Sequence, residues 1–271
     1  MEYKGYKVIS NEEEVTRFYQ KEYPIDGLNE NEYLLIADEQ GEIVDKYYLH
    51  NGKYEQVRWT PIKSRWIGEI KPLTVTQELG FHMLQTAPST LKVFNSSYGV
   101  GKSFLSAAYT LSCLEKGLYN KAILIRPNIG VKDYPSLGLV PGTYNEKAMP
   151  WFAMLGDIMG SMDAVQALVD EGKLEFAPIE TLRGRTFTDS IILVEECGNL
   201  STALCRLIVS RCAKHSIIIM CGDESQADRE RFKEDCGIKN MTEKLAGHHL
   251  FSYLSMEGCV RSETAQLSEL F

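Results

Sequence analysis

The chain has 271 residues, 44% of them apolar and 24% charged, with a formal net charge of −8. That composition excludes collagen-like, low-complexity and disordered chains, and the length fits one large domain or one domain with a small appendage. The acidic total argues against wholesale coating of nucleic acid but leaves room for a local basic channel.

The apolar runs are only a few residues long, too short to span a bilayer, and the opening MEYKGYKVISNEEE lacks the apolar core of a secretory signal. The expectation is a cytoplasmic chain with no membrane partner. Seven cysteines (Cys113, Cys197, Cys205, Cys212, Cys221, Cys236 and Cys259) include no CxxC pair. They read as buried, reduced, small apolar residues rather than disulfide or zinc ligands.

A helix is expected over residues 11–21, with Asn11 as N-cap and Glu14 three residues on. Residues 32–38, 42–49 and 54–59 read as short strands, separated by the turn signals EQG at 39–41 and NG at 51–52. Residues 1–70 therefore predict a small helix-plus-strand domain, which packs on the remainder of the chain because about seventy residues are marginal alone. From 71 to 271 strand and helix alternate. Helices are expected over 74–85, 102–116, 146–162, 163–172 and 202–213, and strands over 91–95, 121–126, 174–177, 190–194 and 216–221. A helix near Thr242, a strand over 251–254 and a terminal helix complete the chain. Apolar strands without polar alternation, joined by helices, predict an α/β domain with a parallel sheet covered on both faces.

Residues 96–103 read SSYGVGKS, after an apolar strand and at the start of a helix, which is the setting of a phosphate loop. Gly99 and Gly101 let successive N–H groups converge on phosphate oxygens, and the helix adds the positive end of its dipole. Ser97, Tyr98, Gly99, Val100, Gly101, Lys102, Ser103 and Phe104 form the expected nucleotide-binding run. Lys102 would reach the β- and γ-phosphates, and the Ser103 hydroxyl would ligate Mg²⁺. Ser96 stands where G-x-x-x-x-G-K-[ST] has its first glycine, a position a serine can fill if φ stays negative. A glycine-rich surface turn is the plainer alternative.

Residues 190–196, SIILVEE, form a buried strand ending in two carboxylates, expected beside the phosphate-loop strand. Glu195 would face the metal and Glu196 would orient or deprotonate the attacking water, provided that the strand has ended by Glu196. Residues 216–226, SIIIMCGDESQ, form another buried strand that would bring Asp223 and Gln226 beside the γ-phosphate. A solvated strand terminus is the plainer alternative for the first, and a mere strand-to-loop turn for the second.

With these segments in view, residues 71–271 resemble the PhoH family of phosphate-starvation-inducible ATPases, which have a RecA-type core related to superfamily-one helicases. Arg126–Pro127, LVPG at 139–142, Glu146–Lys147, Pro150–Trp151, LRGRT at 182–186, VEECGN at 194–199 and GDESQ at 222–226 carry the likeness. The resemblance implies a RecA-like P-loop parallel sheet and a Mg²⁺-dependent ATP hydrolase acting as a ring-shaped helicase or remodeller of RNA or another single strand. ATP and Mg²⁺ are the implied cofactors. It also implies that Gln77 reads adenine and that Arg261 is lent to a neighbour's site, which requires a homo-oligomer, a hexamer by resemblance. Arg126, Arg183 and Arg185 are candidates for contacting the strand; an anchoring, intersubunit or solvated role is their alternative. Residues 1–70 resemble the connector that follows a PIN ribonuclease domain in longer members, so the ATPase is carried over and the nuclease is not. Ser96, and Glu195 in place of the usual aspartate, support a second reading: a nucleotide-binding switch or assembly module with little hydrolysis.

Overall fold

The computed structural model describes residues 3–22, 24–96, 99–127, 152–224 and 235–258. Residues 6–56 build a four-stranded layer. Strand β1 (Tyr6–Ile9) leads into helix α1 (Glu12–Tyr19), then β2 (Tyr33–Ala37), β3 (Ile43–His50) and β4 (Lys53–Gln56) come in turn. The strands lie in sequence order, β1 parallel to β2 and the rest antiparallel. Asn11 caps α1 as its sequence predicts, its Oδ1 accepting from the N–H groups of Glu13 and Glu14. Phe18 on α1 packs with Ile9, Leu34 and Ile36, which closes one face of this layer. A short hairpin, β5 (Ile62–Ser64) and β6 (Gly68–Ile70), comes next.

Helix α2 (Val75–Gln85) precedes the main sheet, whose strands and helices run in order β7 (Leu91–Asn95), α3 (Lys102–Glu115), β8 (Lys121–Ile125), α4 (Ala153–Met159), α5 (Met162–Asp170), β9 (Leu174–Phe176), β10 (Ser190–Val194), α6 (Thr202–Val209), β11 (Ile217–Gly222), α7 (Gly237–Leu245) and β12 (Phe251–Ser255). The six strands are all parallel, in the order β12-β7-β11-β10-β8-β9. Alternate residues feed two cores. Phe94, Leu124, Leu193 and Ile219 pack with α2, α3, α4 and α5, whereas Val93, Ile125, Val194 and Met220 pack with α6 and α7. This is the RecA-like α/β fold that the strand pattern and the resemblance imply. Tyr33, Leu35, Tyr48 and Ile62 belong to the same core as α2 and α3, so the N-terminal layer shares its apolar burial with the main sheet. Among the described residues no helix is long and apolar enough to cross a membrane.

One expectation is corrected by the strand order. The acidic strand β10 does not lie beside β7, because β11 runs between them. The reason is legible in the contacts: β11 is buried along its whole length and ends at Gly222, where a Cβ would come within 2.6 Å of Cys197 Sγ and of the Gly198 N atom. A strand that is apolar on both faces and has no side chain at its exit suits this central position. The short strands β1, β5 and β6 are additions to the sequence reading. The expected terminal helix and residues 146–151 of the expected 146–162 helix lie outside the described residues. The rest of the latter is α4, which stops at Gly160, a left-handed residue that separates it from α5. Six cysteines are described, all free and five of them buried, as expected. Burial pushes the Cys113 thiol up to about 11 and the Cys205 thiol up to about 12, so neither is a reactive thiolate.

Candidate functional site

The loop between β7 and α3 turns through two left-handed glycines, Gly99 at φ 81° and Gly101 at φ 87°. A Cβ at either position would strain the backbone, which is why this sequence needs glycine there. Gly101 is the N-cap of α3 and offers no side chain to its first N–H groups, and the first turn carries no acidic residue. Helices α1, α2, α5 and α6 instead have side-chain caps from Asn11, Thr74, Ser161 and Ser201. The start of α3 thus keeps its donors and its positive dipole end for an anion. Lys102 donates from Nζ to the Ser96 carbonyl at 3.0 Å, folded back over the loop that it would share with phosphate.

Glu195 comes directly after the last residue of β10 and is buried. The Ser103 hydroxyl donates to its Oε2 at 2.6 Å, while its Oε1 is buried with no hydrogen-bond partner among the described residues. Burial is the main force that pushes this carboxyl up to about 7; the Ser103 hydrogen bond opposes it and the Glu196 charge adds to it. A hydroxyl and a carboxylate with one unshared, buried oxygen form a donor set suited to a hard divalent cation, which would relieve that cost. Ser103 and Glu195 therefore fit the metal role expected of them.

Glu196 adopts φ 54°, a left-handed turn rare for a residue with a side chain. The strand has ended before it, which meets the condition for both carboxylates to serve one site. Its carboxylate is half exposed and pairs with Arg126 Nη2 at 3.4 Å, joining the ends of the neighbouring strands β10 and β8. Ser103, Leu124, Arg126, Met154, Glu195 and Glu196 line one pocket of about 260 Å³. The structure therefore brings Ser103, both carboxylates and Arg126 together, with Lys102 next to Ser103 at the start of α3.

Other expected residues stand elsewhere. Gln77 is buried, its Oε1 accepting from the Leu73 N–H at 2.8 Å and its Nε2 donating to the Val100 carbonyl at 3.0 Å. Its amide thus ties the segment before α2 to the phosphate loop. Phe104 exposes its ring in the first turn of α3. Asp223 is buried at the exit of β11, against the turn after β10: a Cβ on Gly198 would stand 2.0 Å from the Asp223 carbonyl oxygen. Arg183 is exposed, but Arg185 stacks over Phe187 and pairs with Glu175 on β9, the edge strand four positions from β7. Arg185 is thus held at the sheet edge. Ser97, Tyr98, Gln226 and Arg261 lie outside the described residues.

Sequence reasoning missed Asn95, the last residue of β7. Its Oδ1 accepts from the Glu224 N–H at 3.1 Å and its Nδ2 donates to the Tyr253 hydroxyl at 2.8 Å. The available signal was a carboxamide closing an otherwise apolar strand immediately before the phosphate loop.

A PhoH-like protein family profile matches residues 69–270. The chain is 28% identical over 221 residues to Protein PhoH2 of Thermobispora bispora, covering 78% of this chain and 50% of that protein. It is 27% identical over 206 residues to Protein PhoH of Escherichia coli K12, covering 73% and 57%. It is 25% identical over 250 residues to Protein PhoH2 of Bacillus subtilis, covering 88% and 55%. The chain spans about half the length of these curated relatives. With the strand order, the glycine-turned loop and the carboxylate facing Ser103 already in place, the match over most of the chain completes the assignment: this chain belongs to the PhoH-like protein family.

Proposed function

We propose that the chain is a Mg²⁺-dependent ATPase that couples hydrolysis to remodelling of single-stranded RNA or DNA, as a ring of like subunits. One observation carries the reading: Ser103 and Glu195, brought together from α3 and β10, leave one buried carboxylate oxygen without a partner among the described residues, next to a phosphate-loop lysine. The loop amides and the start of α3 hold the phosphates, and Lys102 exchanges the Ser96 carbonyl for β- and γ-phosphate oxygens. Glu196 faces the same pocket and accepts a proton from the attacking water while Arg126 holds its carboxylate. Ser103 and Glu195 hold Mg²⁺, which when bound offsets the charge on the transferring phosphoryl group.

Asp223 and Gln226 sense the terminal phosphate, and Arg261 from a neighbouring subunit stabilises the developing charge; both roles rest on the resemblance. So does adenine recognition by Gln77, which has to release its two backbone partners to read a base. Arg126, Arg183 and Arg185 remain candidate contacts for nucleic-acid phosphates, and cytoplasmic residence belongs to the same reading. The test is phosphate release titrated with single-stranded RNA and DNA, run beside a solution mass measurement. Stimulation that fades with added salt is expected of a phosphate-lined channel, and a complete lack of stimulation by either polymer overturns the remodelling role.

A specific observation favours a second reading, a nucleotide-binding switch with little hydrolysis. The Glu196 carboxylate is engaged by Arg126, and the buried Glu195 carboxyl is pushed up to about 7. Tight nucleotide binding with steady-state release that stays negligible, with or without polymer, would select it.

A further inference from the structure

Asn95 occupies a junction that the proposed hydrolysis does not use. It is 4% exposed, so both ends of its carboxamide must find partners inside the protein. They do so on two sides, one in β12 and one just past the end of β11. Oδ1 receives the N–H of Glu224, two residues past the end of β11, and Nδ2 reaches Tyr253 in β12. The backbone around it is tied equally closely: the Asn95 carbonyl accepts from the Met256 N–H at 2.9 Å, and the Ser96 N–H donates to the Gly222 carbonyl at 3.1 Å. Three adjacent strands, the edge strand β12 with β7 and β11, thus meet at one side chain, at the residue before the phosphate loop begins.

The segment held by Asn95 is also pressed against the acidic turn. Gly198 approaches Asp223 so closely that a Cβ would stand 2.0 Å from its carbonyl oxygen, and Gly222 leaves no more room beside Cys197 and Gly198. Packed interiors are not continuously deformable, so a shift of residues 222–224 has to move the 195–198 turn, the Asn95 carboxamide or both. Tyr253 passes the contact outward: its ring lies 5.2 Å from that of Tyr3, whose hydroxyl donates to Glu32 at 2.6 Å.

We propose that Asn95 is a positioning residue that fixes the exit of β11 against the phosphate loop, so that loss of its carboxamide costs the site its discrimination between nucleoside triphosphate and diphosphate. The inference rests on the reading of a nucleoside-triphosphate site. Asn95 touches neither nucleotide nor metal in that reading; it acts through the Glu224 backbone. A purely structural carboxamide would lower stability and weaken both nucleotides alike, whereas a positioning one changes their ratio.

The experiment compares wild type, Asn95→Leu, Asn95→Asp and Tyr253→Phe. It measures dissociation constants for ADP and for a slowly hydrolysed ATP analogue with Mg²⁺, together with kcat and thermal midpoints. Asn95→Leu is expected to reduce the triphosphate-to-diphosphate preference at least fivefold and kcat about tenfold, with ADP affinity changed less than threefold. Asn95→Asp, which keeps an acceptor for the Glu224 N–H, is expected to recover most of the preference. Tyr253→Phe, which leaves that bond intact, is expected to change it less than twofold. A wild-type ratio in Asn95→Leu overturns the role, as does equal weakening of both nucleotides. If Asn95→Leu fails to fold, an unchanged ratio in Asn95→Ser overturns it and a fivefold loss supports it. Failure of the wild type to bind either nucleotide instead removes the triphosphate site itself and the proposal with it.

Discussion

The two ends of β7 bury polar groups in opposite ways. At its start Lys92 is 2% exposed, and its amine donates to the Ala87 carbonyl at 2.7 Å and to Ser89 Oγ at 3.1 Å. Burial pulls its pKa down to about 7, and a neutral amine has two N–H donors, the number of acceptors that it finds. Nearby His82 is drawn down to about 4 by burial and by the Lys92 charge, and its Nδ1 lies 3.1 Å from the Tyr33 hydroxyl. At the other end, beyond Asn95, the Ser103–Glu195 pair leaves a buried oxygen unpartnered among the described residues. Both ends withdraw titratable groups from water, but only the first completes their hydrogen bonds. A completed network fixes the fold; an incomplete one holds capacity for a ligand at the expense of stability.

Several substitutions put this contrast to the test. The largest effect is expected from Lys102→Ala, which should cut phosphate release at least about a hundredfold while leaving the thermal midpoint nearly unchanged. Wild-type turnover in that variant would remove the phosphate-loop assignment. At the closed end, Lys92 should contribute a climb in stability as pH rises from about 7 towards 10.5, because over that window the unfolded chain binds a proton that folded Lys92 does not. The buried cysteine thiols, pushed up by burial, contribute the opposite slope, so the climb is read as the difference between wild type and Lys92→Met. Each unit of that displacement carries about 1.4 kcal/mol, and Lys92→Met should flatten the climb in urea melts taken at successive pH values. A smaller, opposite effect belongs to the open end. Glu195→Gln should raise metal-free stability by about 1 kcal/mol while weakening Mg²⁺-dependent nucleotide binding; destabilisation would mean that the buried oxygen is satisfied after all. Least of all, Arg126→Ala should change stability by no more than about 1 kcal/mol, because the Arg126–Glu196 pair is half exposed. A larger loss in a denaturant melt would give that pair a structural weight its exposure does not support.

The sequence was most informative where local chemistry is self-sufficient. Asn11 and the glutamates after it define the start of α1, and the apolar runs at 91–95, 190–194 and 217–222 are strands because nothing else buries them on both faces. The phosphate loop was equally legible, since Gly99 and Gly101 sit at positive-φ positions. Lateral order was not: a strand apolar on both faces carries no mark of which neighbours it takes, so the placement of β11 between β7 and β10 had to come from the structure. Short strands such as β5 and β6, three residues each, lack the length to show alternation. The partners of Gln77, Arg126 and Asn95 were hidden for another reason. Each bond joins residues more than twenty positions apart or reaches a backbone atom whose identity the side chain does not encode.

β12 is the outer strand of the main sheet on the phosphate-loop side, and strands in that position tend to recruit foreign backbone. Here the segment before β1 occupies the margin: the Ser255 N–H donates to the Lys4 carbonyl, and Gly5 comes so near the Tyr253 carbonyl oxygen that a Cβ would clash at 1.9 Å. Those few residues act as a selvedge that keeps the sheet from fraying into its neighbours. A bulkier residue at position 5 would lift that border and leave the particle prone to sheet-on-sheet clumping.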